Sequence, residues 1–254
     1  MKTSLSAMVA AALAIAAPWT AAHAAELVDA PAKTVVLVHG AFADGSSWNR
    51  VIPLLKARGL NVVAVQNPLS SLADDVAATR RALKNVEGPV VLVGHSWGGA
   101  VITEAGLDDK VKSLVYVAAF APSEGQSVAA LGQGYPTPPG IASLVSDAEG
   151  FVSMTPPELA RNFAQDLPAA DAALMAATQA PIRGSAFEEK VSAAAWKAKP
   201  SWFIVTTRDR MIAPELQYAM AKRIGARTVS LPTSHVPMAS DPRDVAAAIL
   251  EASK

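Results

Sequence analysis

The chain contains no cysteine, which excludes a disulfide framework, a thiol nucleophile and a thiolate metal site. It also lacks an excess of either charge. Its 22 Lys and Arg balance 22 Asp and Glu, and no basic run offers the electrostatic footprint of a nucleic-acid partner. No His, Asp and Glu cluster has metal-ligand spacing, so no metal is expected. Gly40-x-x-x-x-Gly45 is followed by Ser46-Ser47 without the lysine of a phosphate-binding loop, and no cofactor is expected. No apolar run reaches the roughly 20 residues that span a bilayer. Histidine is scarce as well: His23, His39, His95 and His235 are all there are.

What is present is enough for one large core. The 254 residues are 51% hydrophobic and 17% charged, within the size that a single α/β domain commonly reaches. The start reads separately. Met1-Lys2 is a short basic opening, Met8 to Ala17 is almost all Ala, Val, Leu and Ile, and Ala22-His23-Ala24 is an A-x-A cleavage site. Residues 1–24 are therefore expected to be a secretory signal peptide, sending residues 25–254 to the periplasm or the medium.

The most informative stretch is Val90-Val91-Leu92-Val93-Gly94-His95-Ser96-Trp97-Gly98-Gly99. An apolar, β-branched run breaks into Gly-x-Ser-x-Gly and then a helical pattern, the context of a nucleophile elbow. There the serine occupies a strained turn, and glycines on either side remove side chains that would collide with it. Ser96 is the expected nucleophile.

A serine needs a base. His23 falls in the leader, and His39 and His95 sit in turns at strand ends, where they read as local turn residues. His235 remains. It lies in the loop Pro232 to Pro237 after the strand-like run Ala226 to Leu231, and an imidazole can take the hydroxyl proton and return it to a leaving group near neutral pH. The acid belongs between serine and histidine in chain order. Asp209, which follows the β-rich run Ser201 to Thr207, is favoured. Glu124, after a strand read over Leu114 to Ala119, is its rival, and Asp241 and Asp244 read as the start of the last helix. Gly40 allows a tight turn that aims the backbone N–H of Ala41 at the same crevice. The N–H of Trp97, next to the nucleophile, supplies a second donor for an oxyanion.

Together these residues resemble the α/β-hydrolase superfamily, and the resemblance runs over nearly all of residues 25–254. Within it, His39-Gly40-Ala41 with Trp48, Gly94 to Gly99, Asp209 and His235 are similar to the branch holding plant methyl-salicylate-type esterases, hydroxynitrile lyases and small bacterial esterases. The lyases of that branch carry a threonine in the turn after the first strand and a lysine directly after the histidine. Gly40 and Val236 stand there instead, so the resemblance implies ester hydrolysis. A small-molecule ester is the expected partner.

The remaining pattern alternates strand and helix, which predicts a mostly parallel sheet of about six strands flanked by helices. Ser47 to Ala57 reads as one helix, Leu72 to Asn85 as another, and a final helix starts at Asp241. Between about residues 122 and 198 the alternation stops. Proline-punctuated helical patterns there, among them Pro157 to Asp166 and Ala169 to Thr178, predict a helical lid. Phe151, Met154, Phe163, Met175 and Trp196 are candidates for its pocket or, more simply, for its core. The Pro-, Ala-, Phe- and Met-rich lid and the balanced charge favour a small or medium neutral ester, with Arg208 and Arg210 leaving room for an acidic one.

Overall fold

A computed structural model describes residues 31–254; the segment expected as a signal peptide lies outside the described residues. Six β-branched and leucine-rich segments build one sheet: β1 (Thr34–Val38), β2 (Asn61–Val65), β3 (Val90–His95), β4 (Val111–Val117), β8 (Ser201–Thr206) and β9 (Arg227–Leu231). Their order is β2-β1-β3-β4-β8-β9 and every pairing is parallel. The runs are continuously apolar because both faces of the sheet are covered. In β1 and β3 every residue is buried, whereas the edge strand β9 is buried only at Leu231. The chain begins in β1, moves outward to β2, and returns on the other side of β1 to form β3. This places a topological switch point between β1 and β3, where open α/β sheets form their crevice.

The helices that cover the sheet start where the sequence supplies a cap. Helix α2 (Leu72–Lys84) is capped by Ser71, whose hydroxyl accepts from the Asp74 N–H, and its first turn carries Asp74 and Asp75. The last helix (Pro242–Ala252) starts at Asp241, which accepts from the Asp244 N–H. The single helix expected over 47–57 is instead two pieces, a 3-10 turn at Gly45–Trp48 and α1 (Ile52–Lys56). Pro53 is the cause: without an N–H it suits a first helical turn but not an interior. Strand β4 begins three residues earlier than the sequence suggested and stops at Val117, because Ala118 turns into the left-handed region at φ 43°.

From Val117 to Ser201 the chain leaves the sheet. This inserted segment holds four short helices: α4 (Val128–Leu131), α5 (Pro139–Ala142), α6 (Pro156–Asn162), which ends four residues before the expected Asp166, and α7 (Ala169–Thr178), which matches the expected range. It also holds something the proline pattern hid, a small antiparallel sheet of β5 (Val145–Ser146), β6 (Phe151–Ser153) and β7 (Ile182–Arg183). Strands of two or three residues are too short to show a period of two. Among the described residues no helix is long and apolar enough to cross a membrane.

Candidate active site

Four loops meet above the carboxyl edge of the sheet. The tightest follows β3, where Ser96 takes φ 51°, a left-handed conformation that strains a residue with a side chain. Packing enforces the strain. A Cβ on Gly94 would stand 2.5 Å from the Gly98 carbonyl oxygen, and one on Gly98 2.6 Å from that of Val38. Only glycine lets helix α3 (Gly98–Ala105) begin this close to β1. Gly40 is equally confined, since a Cβ there would meet the Ser96 Cβ at 2.8 Å.

His235 arrives from the loop after β9 and Asp209 from the turn after β8. Their side chains and Ser96 form one line. Ser96 Oγ lies 2.8 Å from His235 Nε2, and His235 Nδ1 lies 2.8 Å from Asp209 Oδ2. A carboxylate only accepts, so the ring proton sits on Nδ1 and Nε2 is left to accept the serine O–H. Asp209 is saturated with donors. Oδ1 accepts from the N–H groups of Met211 at 2.8 Å and Ile212 at 3.0 Å, and Oδ2 from Thr206 Oγ1 at 2.8 Å and Gln217 Nε2 at 2.7 Å. The rival Glu124 is exposed and faces Lys197 at 3.3 Å, away from His235. Arg208 and Arg210, flanking Asp209, are exposed too.

The other histidines support the backbone of this site. His95 donates from Nε2 to the carbonyl of His235 at 2.9 Å, tying the base's loop to the elbow. Burial, then the neighbouring His235 ring, holds His95 well below the usual histidine range, which keeps a second positive charge out of the cluster. His39 donates from Nδ1 to the Gly40 carbonyl at 2.8 Å and accepts the Asn67 N–H on Nε2 at 2.9 Å. Burial lowers its pKa in turn. Phe163 closes one side, its ring 5.0 Å from that of His235.

Ser96 is only 7% exposed, at the floor of a cavity of about 590 Å³ rather than on an open ledge. Ala41, Trp97 and His235 share that floor, and Val128, Tyr135, Ile141, Leu144 and Phe187 of the inserted segment form walls. Glu188 is the single formally charged side chain on the lining. The backbone N–H groups of Ala41 and Trp97 have no hydrogen-bond partner among the described residues. None of the five lid candidates lines this cavity. Met154 and Phe163 are buried core, Phe163 and Met175 border a separate pocket, Trp196 donates to the Pro122 carbonyl at 2.9 Å, and Phe151 lies under the Arg183 guanidinium.

Sequence reasoning missed Thr206, Gln217 and Asn67, which brace the site, and Asp75, whose Oδ2 accepts the Trp97 indole N–H at 2.7 Å. No sequence motif marks them: Asn67 and Asp75 act through His39 and Trp97, 28 and 22 residues away, and Thr206 and Gln217 brace Asp209 only once the turn after β8 has folded.

This sheet, elbow and cavity are those of an α/β hydrolase, and the chain belongs to the Alpha/beta hydrolase family, which matches residues 35–248. A pyrethroid hydrolase of Sphingobium wenxiniae is 32% identical over 111 residues, 36% of this chain and 37% of that protein, so the chain spans only about two fifths of that relative's length. Salicylic acid-binding protein 2 of Nicotiana tabacum is 27% identical over 252 residues, 86% of this chain and 96% of that one. In fold, the crystal structure of polyneuridine aldehyde esterase superposes with a TM-score of 0.76 at 22% identity, over 88% of this chain and 100% of that one.

Proposed function

We propose that this protein is a serine-dependent carboxylic ester hydrolase that works through an acyl-enzyme. The observation that carries the reading is the unbroken Ser96–His235–Asp209 line, both contacts 2.8 Å, at the floor of an apolar cavity. Ser96 Oγ attacks the ester carbonyl as His235 Nε2 takes its proton. Asp209 keeps His235 in the required tautomer and balances the imidazolium that forms. The free N–H groups of Ala41 and Trp97 receive the negative oxygen of the tetrahedral intermediate, a donor pair that neither His39 nor His95 competes for. His235 then passes the proton to the departing alcohol, and water repeats the sequence on the acyl group. Relatives named as esterases and hydrolases support the same class.

The substrate we infer is a small to medium neutral ester with an apolar portion. The cavity volume suits a ligand of that size, and its lining offers no Lys or Arg to an anionic group. Cyanohydrin cleavage is disfavoured by Val236, which is 1% exposed and places no positive charge beside His235. Residues 1–24 are proposed as an export signal, which the amino-terminal sequence of the mature protein tests.

Ser96→Ala decides the central claim. It lowers kcat on p-nitrophenyl esters by on the order of 10⁵ to 10⁶ and abolishes fluorophosphonate labelling with the fold intact. Retention of more than a few per cent of the activity in purified protein sinks the proposal. A panel from acetate to palmitate, with methyl and aryl esters and a cyanohydrin alongside, fixes the substrate; a peak on long-chain emulsions would make this a lipase.

A further inference from the structure

Two carboxylates are buried among the described residues, Asp209 and Asp75, and the reaction above uses only the first. Asp75 has no exposed surface and sits in the first turn of α2. Its oxygens are divided between two parts of the molecule. Oδ2 accepts the indole N–H of Trp97 at 2.7 Å, and Oδ1 accepts the backbone N–H of Leu69 at 2.8 Å. Leu69 stands at φ 58°, a costly conformation for a branched residue that persists only where its surroundings hold it. The Leu69 carbonyl accepts the N–H of Arg183 in β7 at 2.8 Å. Nearby, Glu189 accepts the Leu72 N–H at 3.0 Å. Phe187, also from the inserted segment, sets its ring edge-on to Trp97 at 5.4 Å.

Asp75 thus joins the elbow to the loop after β2, and Trp97 and Leu69, the two residues it holds, each contact the inserted segment. Only an acceptor-only group serves two converging N–H donors; an amide has one oxygen and would aim its NH₂ at the second donor. Burial pushes the carboxyl up to about 6 against the pull of the Trp97 and Leu69 hydrogen bonds, with Asp74 and Glu189 adding to the rise. The fold keeps a carboxylate here at a desolvation cost.

We propose that Asp75 is a positioning residue: it clamps the Trp97 indole and so fixes both the direction of the Trp97 backbone N–H beside Ser96 and the wall that the indole gives the ester cavity. The proposal rests on the esterase reading of Ser96. A donor aimed at the transition state contributes there and not in the ground state, so the signature of losing the clamp lies in kcat rather than KM.

The test is a cycle on p-nitrophenyl butyrate. Asp75→Asn lowers kcat by roughly 10- to 100-fold with KM within about threefold of the parent. Trp97→Phe removes the same hydrogen bond from the donor side, and the double variant is no worse than the poorer single one. Effects that multiply overturn the proposal, as does an Asp75→Asn enzyme that melts earlier but turns over at the parent kcat. A second readout needs no ester. The indole N–H resonance of Trp97, assigned by its loss in Trp97→Phe, exchanges slowly with solvent in the parent and faster in Asp75→Asn. Unchanged exchange overturns the clamp. Parent protein without Ser96-dependent turnover overturns the esterase reading, and the exchange measurement then still decides whether Asp75 holds Trp97.

Discussion

The carboxyl edge of the parallel sheet and the inserted segment above it face the same cavity but are built on opposite principles. At the sheet edge every group is over-determined. Asp209 accepts five hydrogen bonds, Ser96 is wedged by glycines that admit no Cβ, and His235 is held through its own carbonyl. The inserted segment contributes mostly apolar lining from short helices and loops, Val128, Ile141, Leu144 and Phe187 among them, with Ile141 38% exposed. Chemistry demands placement to within fractions of an ångström and is carried by rigid strand ends; discrimination among esters needs only shape, which the walls from the inserted segment supply.

Substitutions at the two regions should therefore separate kcat from KM, and the largest effect belongs to the sheet edge. Asp209→Asn lowers kcat by about 10⁴, because its NH₂ opposes the donors that surround it and favours the wrong tautomer of His235; circular dichroism should show the fold retained. If Glu124→Gln is the crippling change instead, the acid lies on the other strand. Gly40→Ala follows with a loss of about 10² in kcat, since the added methyl must displace Ser96 or His95. Steady-state kinetics on a short ester checks it, and activity near the parent's would mean that the elbow yields more easily than its contacts imply.

Asp75 links the two regions and gives a pH signature. Its carboxyl is raised from 3.8 to about 6 in the folded protein, so the fold binds that proton more tightly than the unfolded chain does. The resulting stability is fully present below the ordinary value and is lost as pH rises through about 6. The stability of the parent relative to Asp75→Asn should fall by roughly 2 kcal/mol between about pH 4.5 and about pH 8, measured by urea unfolding. A difference that stays flat would show that burial does not strain this group. The smallest effect is expected in the inserted segment. Ile141→Ala raises KM for a bulky apolar ester by roughly three- to tenfold, by loss of buried surface, and leaves kcat within about twofold. A fall in kcat instead would erase the division between the regions.

Much of the sheet was legible because parallel strands covered on both faces must be continuous apolar runs, as in β1, β3, β4 and β8, and the edge strands β2 and β9 follow from their β-branched residues between helical periods. Ser96 was legible for a steric reason, as Gly94 and Gly98 mark where a strained turn must pass close to other backbone. The helix at 47–57 misled because its periodicity ran through Pro53, and β5, β6 and β7 escaped because two or three residues display no period. The pocket walls were read from the wrong residues. Phe151, Met154 and Met175 have the right chemistry, yet which face of a short helix or strand turns toward Ser96 depends on how the segment folds back over the sheet.

The sequence by itself determined what is local: where strands run, where the chain must turn tightly, and which serine and histidine stand at strand ends. These follow from sterics and hydrophobic periodicity within a few residues. Only the tertiary structure decided which carboxylate reaches His235, that His95 and Gln217 brace the site, that apolar residues of the inserted segment wall the cavity, and that Asp75 grips Trp97 from another helix. A polar side chain has no fixed role until the fold chooses its neighbours, because one carboxylate is a solvated surface charge at Glu124 and a buried acceptor at Asp209.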